Sequence, residues 1–439
     1  MTQINLQAHT EEQSGYGRMG ARLSAALERL GVESAGDIGL VPQGIARRER
    51  LAPVDLARVA LWLSTPPHVR GWYEGQFAAI FTMWESTEIP PGFRHNLHHF
   101  DRIIVPSVQN LELYRRFHDD VRLVPLGIDP SWSWRPRPAV RNEFRFLTAG
   151  YGTRKGCAQV ARAFAAAFPK GLAPDKLGPA PKLIVRSRDD VHGPGISTIP
   201  ANLSMKAELD LYGNAHCFVS GSKGEGFGFM PLQAIAQGLP TILGDAHGHH
   251  AYAHYGIPLD VHPYSAKGAT FWGDGGEWWE PDFDQMVESM RDVYANYAWH
   301  TERAGVNALA AAKEFTWEAS AEALILELAD QLYLPAPTER VWKGAPPRLF
   351  HVRVNKRCAY TVNGIVNAFE PGIDYYEAAD LKRAVIASGH LDMSTWDPHD
   401  LGLEDSPDLG MLRAQNSICP TCKQRYNTDQ SVMDWIAAP

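Results

Sequence analysis

Short apolar, β-rich runs alternate with amphipathic helical stretches along most of this chain, and that alternation leaves few folds open. The runs Arg58–Leu63, Ala78–Met83, Arg102–Pro106 and Val121–Pro125 read as strands. Helical spacing fills the stretches Arg18–Leu30 and Val108–Phe117. In Arg18–Leu30, for example, Met19, Leu23, Ala26, Leu27 and Leu30 share one face. A strand that feeds a helix and then another strand builds a βαβ unit, so a mostly parallel sheet is expected. The pattern restarts at Phe144–Ala149. It continues through a helix at Cys157–Ala167, strands at Lys182–Arg186 and His216–Gly221, a helix at Met230–Gln237 and a strand at Pro240–Gly244.

The chain of 439 residues suits two or three such domains. A Pro- and Trp-rich segment, Gly127–Arg141, separates the two series and reads as a linker. The expected division is a first Rossmann-like domain over 1–128 and a second over 142–318. A closing helix over 319–335 packs back toward the first domain, and a small α+β module occupies 346–439. A Pro-rich break, Leu334–Arg348, precedes that module.

Charge narrows the partners. A net charge of -8 argues against broad binding to nucleic acid or anionic membrane. No apolar run approaches the roughly 20 residues that span a bilayer. Met1–Gln13 is polar and lacks the pattern of a secretion signal. Five cysteines in this length make no disulfide framework. A reducing, cytoplasmic setting is expected.

The most informative stretch runs from Ser220 to Ile242 and contains Gly224-Glu225-Gly226-Phe227-Gly228. A buried strand meets a Gly-rich turn, and a helix starts within a few residues. Free amides at a helix start attract anions, and glycines admit a phosphate or sugar close to the main chain. Glu225 can accept hydrogen bonds from sugar hydroxyls. Gln233, eight positions on, lies about two helical turns later, within reach of a ribose. Upstream, Arg154 and Lys155 follow the Phe144–Ala149 strand and suit a diphosphate.

Together these strings resemble the donor-binding signature of retaining GT-B glycosyltransferases, family 4 above all. The resemblance covers about residues 1–335. It includes Gly150-Tyr151-Gly152-Thr153-Arg154-Lys155-Gly156, Met83-Trp84-Glu85-Ser86, Pro125-Leu126-Gly127-Ile128-Asp129 and Glu314-Phe315-Thr316-Trp317. It implies the GT-B fold, α/β with two Rossmann-like domains facing across a cleft. It implies transfer of a sugar, with retention, from a UDP- or GDP-sugar to a glycan, lipid or protein. By the same resemblance Glu225, Arg154 and Lys155 are catalytic. Gly15, Gly17, Gly226, Phe227, Gly228 and Gln233 bind the donor, and Glu85 and Trp84 stand on the acceptor side. Gln233 departs from the family's glutamate. Trp84-Glu85-Ser86 stands where the family often carries a histidine, and Glu85 is not assigned as a nucleophile. His98, His99, His247, His249 and His250 are further candidates, the last three because they follow a strand end at Gly244-Asp245. The resemblance implies no catalytic metal.

Residues 346–439 lie outside the resemblance. Cys419 and Cys422 form half of a structural zinc site, with Cys358, His351 or His390 to complete it. Competing readings remain at this point. One is a transferase acting on hydroxymethylated bases in DNA. Another is a sugar-nucleotide-binding scaffold without catalysis. A phosphorylase finds no lysine placed for a Schiff-base cofactor.

Overall fold

A computed structural model describes residues 2–8, 14–34, 56–66, 69, 71–173, 178–266 and 275–338, save the side chains of residues 91, 92 and 95. Beyond residue 338 it describes only the backbone of short strands.

The first domain is a six-stranded parallel sheet in the order β2-β1-β3-β5-β6-β7. Its strands are β1 (Thr2–Ala8), β2 (Val32–Ser34), β3 (Val59–Leu63), β5 (Phe77–Phe81), β6 (Arg102–Val105) and β7 (Val121–Leu123). A short strand, β4 (Trp72–Tyr73), stands apart from this sheet. Helices α1 (Gly15–Arg29), α2 (Pro91–Leu97) and α3 (Val108–Tyr114) make the crossovers. The central strand β3, Val-Ala-Leu-Trp-Leu, is buried along its whole length, as a strand covered on both faces must be. Ser14 caps α1, its hydroxyl accepting from Gly17 N at 2.9 Å.

The second domain repeats the plan. Its sheet contains β8 (Glu143–Ala149), β9 (Ala180–Ser187), β10 (Ile196–Pro200), β11 (Cys217–Val219), β12 (Thr241–Gly244) and β13 (Ile257–Leu259). All are parallel, in the order β10-β9-β8-β11-β12-β13. Helices α4 (Gly152–Lys155), α5 (Cys157–Ala167), α6 (Met205–Gly213) and α7 (Phe229–Ala236) connect them. The chain starts at β8, winds outward to β10, then returns to β11 beside β8. The switch point between β8 and β11 is where open sheets of this kind bind ligands. A hairpin of β14 (Val261–Ser265) and β15 (Glu277–Pro281) follows, then α8 (Phe283–Ala295), α9 (Tyr297–Glu314) and α10 (Trp317–Leu332).

The segment expected to be a linker is packed. Its 3-10 turn Pro130–Trp132 sinks Trp132 against Tyr212, with ring centroids 5.0 Å apart. Helix α10 lies against α1. Arg102 grips it by a bidentate pair to Asp330, at 2.8 and 3.1 Å, and Ser320 donates to the Pro125 carbonyl at 2.7 Å. The two chain passages between the domains run side by side, with Ile128 bridged to Thr316 and Ile128 N donating to the Phe315 carbonyl at 3.0 Å.

Beyond α10, β16 (Trp342–Gly344) pairs antiparallel with β4, and β17 (Leu349–Val354) pairs with the later strand Gly372–Glu377. The rest of the expected α+β module, with the half zinc site at Cys419 and Cys422, lies outside the described residues.

Candidate functional site

Two loops leave the second sheet at its switch point. The loop after β8 carries Gly150–Gly156, and the loop after β11 carries Ser220–Gly228. They touch so closely that a Cβ at Gly156 would overlap the Gly221 carbonyl. This approach brings Arg154 and Lys155 to Glu225. The Glu225 carboxylate is buried and accepts from Lys155 Nζ, from Ser222 Oγ at 2.6 Å and from Arg154 Nη1 at 3.4 Å. Burial opposes its ionisation, but Lys155 and Arg154 outweigh that and hold it far below the usual carboxylate range. Burial pushes Lys155 below the ordinary lysine range, against the pull of Glu225. Arg154 also donates to the Gly224 carbonyl at 2.5 Å.

The first domain closes on this loop. Between β5 and α2, the turn Met83–Glu88 lies directly over it. A Cβ at Gly226 would stand 2.5 Å from Met83 Cγ, and one at Gly224 would overlap the Glu85 carbonyl. The Glu85 carboxylate reaches Arg154 Nη2 at 3.6 Å. Trp84 turns the other way. Its ring is buried against Phe93 and its indole N–H donates to Ser86 at 2.9 Å, so from this pair only Glu85 faces the cleft. Tyr16, between Gly15 and Gly17, accepts from Met83 N at 3.1 Å, which sets the start of α1 beside the same turn. Phe227 is buried, and Gly228 has φ +91° where Tyr252 and His249 leave no room for a side chain.

Gln233 lies apart from Glu225, on the wall of a cavity of about 540 Å³ between the domains. Its neighbours there include Arg18, Asp129, Trp132, Ser204 and Phe229. With its amide oriented to satisfy them, Gln233 Oε1 accepts from Arg18 Nη1 at 2.9 Å and Trp132 Nε1 at 3.3 Å. Arg18 also pairs with the buried Glu208 at 3.0 Å, and Glu208 takes Arg186 on its other oxygen.

Several of these groups give no local sign in the sequence. Arg18, Arg186 and Glu208 are far apart along the chain. Lys223 sits in the motif itself but serves as an anchor. Its Nζ donates to the Thr153 carbonyl at 3.0 Å and pairs with Glu280 of β15 at 3.3 Å. The hairpin in turn ties to the first domain, with Glu277 N donating to Thr87 Oγ1 at 2.8 Å. Among the candidate histidines, His250 is exposed and pairs with Asp245 at 2.7 Å, whereas His247 and His249 are buried beside Glu225. Among the described residues, no group of three His, Cys, Asp or Glu side chains could hold a metal ion, and no helix is long and apolar enough to cross a membrane.

Burial depresses three of the imidazoles. It pushes His249 and His216 down to about 4 and His247 well below the ordinary 6.5. Unfolding returns each to about 6.5, so the unfolded chain binds protons that the folded chain refuses. Stability therefore falls as pH drops from about 6.5 toward 4 and recovers on the way back. Thermal melts at pH 7.5, 6 and 5 are expected to show a progressive fall. A melting temperature constant across that window would contradict the burial of these rings.

No protein-family model and no curated protein matches the chain. Solved structures do. Sucrose-phosphate synthase from Thermosynechococcus elongatus superposes with a TM-score of 0.53 at 14% identity, covering 76% of this chain and 99% of that one. Anabaena HepE, solved with UDP and glucose, matches with a TM-score of 0.49 at 11% identity, covering 75% of this chain and 100% of its own. The fold is GT-B, two parallel six-stranded Rossmann-like sheets facing across a cleft.

Proposed function

We propose that this protein is a glycosyltransferase that moves a sugar from a nucleotide-sugar donor, a UDP- or GDP-sugar, to an acceptor hydroxyl with retention at the anomeric carbon. The observation that carries the reading is the buried cluster Arg154–Lys155–Glu225 at the switch point of the second sheet, closed over by Glu85 of the first. Chemistry of this kind needs a leaving diphosphate to be stabilised as it gains charge. Arg154, Lys155 and the amides entering α7 supply that. Lys155 and Arg154 are held in place by Glu225 before any donor arrives. A diphosphate competes for both cations and releases Glu225 to accept from sugar hydroxyls. The cavity beside Gln233 takes the nucleoside end. Closure of the first domain keeps water from the reacting carbon.

A thermal-shift screen against UDP-, GDP-, ADP- and CMP-sugars tests the donor site. At a hundred times Kd a ligand adds about 2.7 kcal/mol, enough to move melting by several degrees. One nucleotide is expected to give this shift, and Glu225→Ala to lose it. No shift with any donor would sink the reading. One observation favours a rival. A neutral Gln233 stands where the resemblance expects a glutamate, and Trp84-Glu85-Ser86 where it expects a histidine, which suits a protein that binds a sugar nucleotide without using it. Hydrolysis or transfer of the bound donor separates the two.

A further inference from the structure

We propose that His247 is the contact for a hydroxyl of the sugar being transferred and that His249 holds it in position, an assignment that rests on the donor reading above. Both rings belong to the turn His247–Ala251, which follows β12 at the ligand-binding edge of the second sheet. The turn is laid directly on the Gly-rich loop. Gly248 N donates to the Glu225 carbonyl at 3.0 Å, and a Cβ at Gly248 would stand 2.5 Å from Phe227 Cα. The same turn packs against α3, so it lies on the seam between the domains.

Two features of His247 have no structural explanation in the fold alone. Its backbone sits at φ +45°, a left-handed conformation that costs a β-carbon residue strain. Its imidazole is buried, and neither ring nitrogen closes a hydrogen bond of normal geometry, although the ring approaches the Ser222 backbone. A buried ring with an unused donor and an unused acceptor is costly unless something else completes it. A sugar hydroxyl, which both gives and takes a hydrogen bond, is the matching partner. His249, with its ring centroid 4.4 Å from that of His247, fills the space over Gly228 and fixes the first ring's direction. Parting of the domains at this seam admits the sugar.

The test compares thermal shifts for UDP and GDP alone with those for UDP-glucose, UDP-N-acetylglucosamine and GDP-mannose. The proteins are the full chain and its variants His247→Gly, His247→Asn and His249→Gln. Glycine relieves the backbone strain and asparagine tolerates it, so both are expected to fold. In His247→Gly the shift with nucleotide alone should persist, the added shift from the sugar should vanish, and KM for the donor should rise at least tenfold. His247→Asn should keep part of the sugar increment. Retention of the full increment in His247→Gly overturns the assignment. Parallel loss of nucleotide and sugar shifts also overturns it, because a merely structural role predicts that. No shift in the wild type overturns the donor reading itself, and the assignment with it.

Discussion

Replacing Lys155 with methionine is expected, on the proposed function, to slow sugar transfer by about 10²–10³-fold, the cost of losing one preorganised donor to developing negative charge. Methionine keeps much of the stem's volume and removes the ammonium. Glu225 would then retain Arg154 at 3.4 Å and the Ser222 hydroxyl at 2.6 Å, so the loop keeps two of its three ties. Steady-state kinetics with the donor found in the shift screen would measure the effect. It should fall mainly on kcat, because charge builds on the diphosphate as the bond breaks. A loss smaller than about fivefold would remove Lys155 from this role.

Gly156→Ala is expected to destabilise the fold by on the order of 3 kcal/mol. Glycine here adopts φ +64°, and its α-carbon faces the Gly221 carbonyl at a distance that excludes a methyl group. Both sides of the clash are backbone, so neither can rotate away. For a domain of this size the melting temperature should drop by about 6–12 °C. The same shift would pull Lys155, its chain neighbour, from Glu225, and activity should fall even well below the melting point. An unchanged melt would show that the two loops can separate freely.

The alternation of strands and helices was legible because strands buried on both faces must be apolar. Most expected elements differ from the observed ones by a residue or two at their ends. Elements with weaker contrast are hidden in the sequence. Strand β1 begins the chain with Thr-Gln-Ile-Asn-Leu-Gln-Ala, whose polar composition hides an alternation of Ile4 and Leu6. Helix α9 presents Trp299, Val306 and Leu309 to solvent, which blurs its apolar face, and with α8 it was not anticipated. The meeting of Arg154 and Lys155 with Glu225 could be read in advance, since their loops follow strands that flank the switch point. The link from Arg18 through Glu208 to Arg186 could not. It joins three elements whose only relation is spatial, and its Arg18–Glu208 half forms only once the two domains face each other.

The paired passages at Ile128 and Thr316 have a mechanical consequence. Two strands of chain stitched to each other at one level behave as a single axle. They forbid the halves to slide past one another and leave rotation as the easy motion. Swing about that line moves the far rim of the cleft most and the stitched end least. Gln233 and Trp132 line the cavity that Ile128 itself borders, so they would feel little of the movement. On the proposed function, such a lever would let a nucleoside settle while the jaws are still wide and reserve the alignment of reacting atoms for the final few degrees.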